Sequence, residues 1–119
     1  MEPIYIEPDG ENNNSSRQDK VSEQLRRIAA DFLEMESNKK SLITVTRATV
    51  SKDLKGSTIF ITVLPENYEN SALGFAKRNA GEFRDYVKSK IKLRVLPFFS
   101  FEIDKGEKIR QKIDEMKTS

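Results

Sequence analysis

Positively charged side chains are concentrated in one segment of this sequence, between residues 77 and 94. The segment holds seven bases and two acids, and the bases are Lys77, Arg78, Arg84, Lys88, Lys90, Lys92 and Arg94. Ammonium and guanidinium groups bind phosphate oxygens through charge-assisted hydrogen bonds. The pattern therefore predicts a surface for a polyanion, although a solvated helix face explains such a charge run about as well.

Two helical patterns meet inside this segment, at Asn79, Ala80 and Gly81. A glycine within a helix costs about 1 kcal/mol relative to alanine, so Gly81 indicates a sharp bend with a backbone cause. A helix that starts after a bend has free N–H groups, and these attract anions. We interpret the three residues as a kink motif that presents amides to a phosphate backbone.

The composition excludes several kinds of chemistry. The chain has 119 residues with no cysteine and no histidine, so disulfides, thiolate sites and histidine bases are absent. Asp53 and Asp104 resemble a carboxylate pair for acid–base work, but we expect each to cap a turn or a helix. We expect no cofactor and no metal. No apolar run could span a membrane and the N-terminus lacks an export signal, which favours the cytoplasm.

Charge also divides the chain into two regions. Residues 1–14 carry four acids and no base, together with two prolines and an asparagine run. This composition predicts a disordered acidic tail. Residues 15–119 then form one folded domain, and no internal repeat or linker interrupts it.

Hydrophobic periodicity predicts the order of the elements. A first helix is expected from Ser15, with Gln18 completing a capping box and an apolar stripe from Val21 to Met35. Strands follow at about 42–51 and 57–64, joined by a turn in which Gly56 provides backbone freedom. The apolar phase changes along the first of them, which predicts a β-bulge near Thr46 and Arg47.

The bent helix pair comes next, and then a third strand at 93–103 and a short terminal helix. Pro97 predicts that this strand is kinked or lies at an edge of the sheet. The terminal helix has Ile109, Ile113 and Met116 on one side. The fold class is therefore α+β, with a three-stranded sheet that has its helices on one face.

This order, with a break in the central helix pair, resembles the type II KH fold. The chain resembles the ribosome-binding factor A family in particular, which has an Ala-x-Gly kink where KH domains have a Gly-x-x-Gly loop. The matching stretches include the turn at 50–55, the strand at 58–63, Ala80–Arg84 and the segment Leu93–Asp104. Asn79 stands where the family has its first kink alanine, and the acidic tail is not part of the family pattern.

The resemblance implies a non-enzymatic assembly factor with a single KH-like domain. Such a protein binds the small ribosomal subunit and its ribosomal RNA late in maturation. It supports processing of the 5′ end of that RNA and matters most in the cold. The resemblance further implies an assembly GTPase as a partner in some bacteria, and we expect a monomer away from the ribosome.

We expect RNA to be recognised by shape and backbone charge. The expected RNA-binding residues are the seven bases of the 77–94 segment, together with Lys52, Lys55 and Arg47 at the end of the sheet. At each of them solvation is about as probable as contact, and Arg84 has Glu82 as an alternative partner. Phe98 has two interpretations, stacking on a base or packing under the tail or the terminal helix, and the second is favoured.

Two other functions remain open at this point. A stand-alone KH-like module would bind short single-stranded RNA selectively, and the missing first glycine of the loop argues against it. A small nuclease would need acidic residues and a metal, but nothing in the sequence places three carboxylates together.

Overall fold

The elements follow the predicted order, with two small additions at the start and middle of the chain. The computed structural model describes residues 4, 5, 14–36 and 40–118. Its helices and strands are β1 (Ile4–Tyr5), α1 (Asn14–Glu36), β2 (Leu42–Val50), β3 (Gly56–Leu64), α2 (Glu69–Arg78), α3 (Ala80–Lys90), β4 (Ile91–Lys92), β5 (Phe98–Ile103) and α4 (Lys105–Thr118). Among these residues, none of the helices is both long and apolar enough to cross a membrane.

The main sheet has three strands in the order β2-β3-β5. β2 and β3 are antiparallel, whereas β3 and β5 are parallel, so β5 lies at an edge as predicted. The register between β2 and β3 shifts between Val45 and Arg47, which confirms the bulge. Val45 and Ala48 are both buried because the bulge turns the second half of β2 onto the same face as the first.

Three helices cover one face of this sheet. α1 packs on β2, and α2 and α3 pack on β5. The apolar stripe of α1 is buried from Val21 to Leu33, because its residues recur at the helical period. Phe83 of α3 is fully buried, and its ring centroid lies 4.9 Å from that of Phe99 and 5.5 Å from that of Phe101. This cluster holds α3 against β5.

The fourth helix is attached by polar side chains. Gln111 Nε2 donates to Thr62 Oγ1 at 3.4 Å, on the sheet face opposite the other three helices. Lys108 Nζ lies 2.9 Å from a carboxylate oxygen of Glu69. The apolar side chains that the sequence predicts on one side of this helix, Ile109, Ile113 and Met116, are exposed. The helical period therefore does not show that this side packs against the domain.

Three sequence predictions need correction, and a fourth is not tested. Gln18 Nε2 donates to the Val50 carbonyl at 3.0 Å, which anchors α1 to β2, whereas the capping box predicted with Ser15 depends on a side chain outside the described residues. The left-handed residue of the β2–β3 turn is Leu54, with φ 60°, and Gly56 already belongs to β3. The third strand starts at Phe98, because Pro97 before it has no N–H for a ladder. Met35, at the end of the predicted stripe, is exposed.

The predicted tail falls mostly outside the described residues, so its disorder stays a prediction. Within it, Ile4 and Tyr5 pair in parallel with Ile91 and Lys92. This pairing adds a second, two-stranded sheet at the end of α3.

Candidate nucleic-acid interface

The break between α2 and α3 lies at Asn79. Its backbone has φ −99° and ψ 15°, which is outside both helices. The Asn79 N–H donates to the carbonyls of Phe75 and Ala76 at 3.1 and 3.2 Å, and Nδ2 donates to the Phe75 carbonyl at 2.8 Å. The Phe75 carbonyl thus accepts from both the backbone and the side chain of Asn79, and the side-chain bond reinforces the end of α2.

The second helix starts directly after this residue. The Phe83 N–H donates to the Asn79 carbonyl at 2.9 Å, and no side chain caps the helix. The N–H groups of the first turn therefore have no side-chain acceptor and face a position that suits an anion.

Gly81 does not make the bend, contrary to the sequence prediction. Its φ lies outside the left-handed region, and a Cβ added to it would meet nothing within 4 Å. Asn79 makes the bend, because its short polar side chain can bond the preceding turn while the backbone leaves the helix. Inside this protein, Gly81 has no steric reason to be glycine.

The bases expected to bind RNA are well exposed. Nine of the ten are exposed and Lys90 is half-buried. Among the described residues, Arg47 alone of the ten forms an ion pair, with Asp104. Lys77 and Lys88 lie in the last turns of α2 and α3, Lys92 lies in β4, and Lys52 lies in the β2–β3 turn. The positive charges are therefore available to an external partner.

The structure divides these bases into groups and does not collect them around the break. Arg78 lines a cleft of about 230 Å³ together with Lys40 and Tyr68, near the start of β2. Its Nη1 lies 3.2 Å from where a Cβ on Gly74 would stand, so the arginine folds back along α2.

A second group lies at the other end of the sheet. Arg84 Nη2 donates to the Leu96 carbonyl at 3.3 Å, and the guanidinium lies 5.6 Å from the centre of the Phe98 ring. Arg84 therefore bonds to the loop before β5 and does not pair with Glu82. The Phe98 N–H donates to the Lys55 carbonyl at 2.8 Å, which brings the β2–β3 turn beside the same ring.

A cleft of about 190 Å³ extends this second group. It is lined by Arg94, Arg17, Asp53 and Leu54. The Nε of Arg17 is buried without a hydrogen-bond partner in the described structure. Arg17 is not among the residues that the sequence predicts to bind RNA, because it lies far from the 77–94 segment along the chain.

Besides Arg84, two of the predicted bases have aromatic partners. The Arg47 guanidinium lies 4.0 Å from the centre of the Phe60 ring, on the sheet face opposite α1 to α3. Lys90 Nζ lies 5.2 Å from the centre of the Tyr86 ring, beside α1. Such cation–π contacts orient the side chains while their charge stays exposed.

Phe98 is 76% exposed. The favoured interpretation, that it packs under another element, is therefore wrong for the part of the chain that the structure describes. Its ring is available to a partner.

The acidic residues serve structural roles. Asp53 Oδ1 accepts from Ser51 Oγ at 2.6 Å and from the Lys55 N–H at 3.0 Å, and these bonds lower the pKa of Asp53. Asp104 Oδ1 accepts from the Glu107 N–H at 3.1 Å and so caps α4. Both capping interpretations are confirmed. Within the described residues, no three acidic side chains lie close enough to hold a metal ion.

A three-stranded sheet covered by one long helix and a broken helix pair defines the class of small KH-like α+β domains. The chain belongs to the ribosome-binding factor A family, whose model matches residues 17–117.

Solved structures share the fold at low sequence identity. The crystal structure of ribosome-binding factor A from Thermus thermophilus matches with a TM-score of 0.64 and 22% identity, over 71% of this chain and 92% of that one. A Thermotoga maritima protein of the same family, solved by NMR, matches with a TM-score of 0.62 and 21% identity, over 77% and 90%. A homology model of the Thermus thermophilus protein, fitted into a cryo-EM map of its complex with the 30S subunit, matches with a TM-score of 0.59 and 24% identity. The match covers 66% of this chain and 86% of that one.

Proposed function

We propose that this protein binds the small ribosomal subunit and its ribosomal RNA late in subunit maturation, in the cytoplasm. It supports processing of the 5′ end of that RNA, including at low temperature, and an assembly GTPase promotes its release. Membership of the family makes the protein a ribosome-binding factor. The Thermus relative fitted into a complex with the 30S subunit supports the small subunit as the partner.

The observation that carries the proposal is the set of exposed bases without carboxylate partners on both sides of the α2–α3 break. Displacing an internal ion pair would reduce the energy gained from a phosphate, and among the described residues nine of the ten predicted bases have no such pair to displace. The uncapped first turn of α3 adds amide donors next to them.

The physical mechanism is recognition of backbone shape and charge. The two groups of bases, around Arg78 and around Arg84, lie towards different ends of the sheet. Two separated contacts fix the orientation of the protein on a folded RNA, whereas one patch would allow rotation. The protein acts by binding, and its role in processing follows from how it holds the RNA.

Sedimentation with purified small subunits tests the proposal. The wild-type protein should travel with free small subunits and be absent from intact ribosomes. Arg78→Glu and Arg84→Glu together should weaken subunit binding by about tenfold or more at low salt, with an unchanged unfolding transition.

Lys105→Glu is a control for charge reversal outside the proposed surface. Lys105 is an exposed lysine in the first turn of α4, outside both groups. Its variant should bind subunits like the wild type. Equal binding by the double variant would refute the proposed surface, and absence of the wild type from the subunit fraction would refute the proposed function.

A further inference from the structure

We propose that the exposed face of the β-sheet around Phe98 is a second RNA-binding site that stacks an unpaired nucleobase. This inference rests on the proposed function, because the ligand is single-stranded ribosomal RNA. The site lies on the sheet face opposite α1 to α3, does not include Asn79 or the first turn of α3, and shares Arg84 with the surface proposed above.

Exposure of one phenylalanine does not define a site, since single apolar residues are common on protein surfaces. The backbone of Phe98 is, however, held at two points. Its backbone N–H donates to the Lys55 carbonyl at 2.8 Å, and the residue before it is the buried Pro97. A ring whose backbone is fixed loses little conformational entropy when it stacks on a ligand.

Arg84 gives the ring a positively charged neighbour. The guanidinium lies 5.6 Å from the ring centre and is itself bonded to the Leu96 carbonyl at 3.3 Å. With 76% of Phe98 exposed, the arginine leaves most of the ring accessible. A base can stack on the open side of the ring while the arginine lies close enough to meet the adjoining phosphate.

The neighbouring side chains on the same face carry hydroxyl groups. Strand pairing places Thr49, Thr58 and Ser100 in one row across β2, β3 and β5. Thr58 Oγ1 and Ser100 Oγ are 3.2 Å apart. Because hydroxyls donate and accept, this row suits the edges of bases and the ribose 2′-OH.

These residues line a shallow depression of about 490 Å³, which also includes Ser51 and Phe98. That volume is in the range of small-ligand sites, roughly 300–1,000 Å³. On the next row of the same face, Phe60 is covered by the Arg47 guanidinium at 4.0 Å. Glu102 pairs with Phe60 in the register and is exposed, so this row has a carboxylate on β5 and bounds the site there.

Charge favours RNA over a protein partner. Arg84 lies next to the ring, Lys55 and Lys52 belong to the β2–β3 turn that the Phe98 N–H contacts, and none of the three has an ion pair among the described residues. An aromatic ring on an open sheet face with adjacent bases is an arrangement that recurs in proteins that bind single-stranded RNA.

The test compares small-subunit binding by Phe98→Ala, Phe98→Tyr and a control. Phe98→Ala should weaken binding on the order of tenfold, which is typical of a lost stacking contact. Phe98→Tyr should bind like the wild type, because the ring is kept. Leu42→Ala is the control, since Leu42 is 63% exposed at the far end of the same sheet face.

A fluorescence experiment identifies the contact as a base. The chain has no tryptophan, so Phe98→Trp introduces a single tryptophan at the site, whose emission can be excited selectively over that of the three tyrosines. Its emission should be quenched by short oligoadenylate and by small subunits, and not by an oligomer of the same backbone without bases.

The outcomes separate this inference from the proposed function. If the wild type binds subunits and Phe98→Ala binds equally well, the stacking site is wrong and the proposed function stands. If Phe98→Ala loses binding but the tryptophan is unquenched by oligoadenylate, the ring contacts a protein and the inference is also wrong. Failure of the wild type to bind subunits overturns the proposed function itself.

Discussion

Thr46 Oγ1 donates a 2.6 Å hydrogen bond to Asp104 Oδ2, and this bond joins the bulge of β2 to the start of α4. Arg47, the next residue, donates from Nε to the same oxygen at 3.2 Å. The bulge therefore brings two consecutive side chains to one buried carboxylate. The other oxygen, Oδ1, caps α4 through the Glu107 N–H.

Replacing Asp104 should therefore destabilise the fold. Asp104→Ala leaves the Glu107 N–H without its acceptor and removes the short bond from Thr46 and the ion pair with Arg47, so we expect the free energy of unfolding to fall by about 2 kcal/mol. Denaturant unfolding measures this. Asp53→Ala removes a carboxylate from an exposed turn and should lower the free energy of unfolding by less. An equal or larger loss of stability in Asp53→Ala would show that the hydrogen bonds of Asp104 add little to stability.

The pH dependence of stability should reflect the same carboxyl group. Burial raises the pKa of Asp104, but the bonds from Thr46, the Glu107 N–H and Arg47 together lower it below its usual value of 3.8. A lowered folded pKa means that the stabilisation is complete above the unfolded pKa and is lost as the pH falls through the folded pKa.

Asp104→Asn should remove this contribution. The unfolding free energies of wild type and variant should run parallel above about pH 5, and their difference should shrink as the pH falls below about 4. Unfolding at a series of pH values checks the prediction, and parallel curves down to pH 2 would contradict it.

Gly81→Ala should separate stability from RNA binding. The added methyl group would meet nothing within 4 Å inside the protein, and alanine has a higher helix propensity than glycine. The free energy of unfolding should therefore rise by about 0.5 kcal/mol. If phosphates approach the first turn of α3, the same methyl group lies in their path and subunit affinity should fall.

Gly106→Ala is the control for the change in helix propensity, because Gly106 is the second residue of α4 as Gly81 is of α3. A Cβ on Gly106 would lie 3.6 Å from Asp104 Oδ1, an ordinary van der Waals distance. A Gly81→Ala protein that is more stable and binds subunits normally would exclude the α3 start from the interface.

The Leu54→Gly variant should be more stable to unfolding than the Leu54→Ala variant. Its φ of 60° is in the left-handed region, which costs roughly 1–2 kcal/mol for a residue with a Cβ. Comparing Leu54→Gly with Leu54→Ala removes the effect of the lost side chain. We expect the glycine variant to unfold with a free energy about 1 kcal/mol higher, and the opposite order in denaturant unfolding would show that the turn is not strained.

Salt should weaken subunit binding steeply, because each neutralised phosphate releases counterions. Lys88→Gln should reduce the slope of log affinity against log salt by about 1 if Lys88 contacts a phosphate. Lys112 is the matched control, because its Nζ already lies 2.9 Å from Glu66. Lys112→Gln should leave this slope unchanged. Binding titrations at several salt concentrations measure the slopes of the Lys88→Gln and Lys112→Gln variants.

The order of elements was predictable because it depends on local periodicity. Val21, Leu25 and Ile28 recur at the helical period, and the change of phase along β2 predicted the bulge before any partner strand was considered. The functions of Asp53 and Asp104 as caps were also predictable, since capping involves residues two or three positions away. The residue that makes the bend was misassigned to Gly81, because glycine signals flexibility without showing where a helix stops.

The sequence by itself determined the class of fold, the family, and the existence of many bases with few acids between residues 77 and 94. Only the tertiary structure decided that Arg78 and Arg84 lie in separate groups, and that Phe98 is open with an arginine beside it. The physical reason is distance along the chain. Periodicity reports which face of an element is apolar, whereas the neighbours of an exposed side chain depend on how elements far apart in sequence pack together.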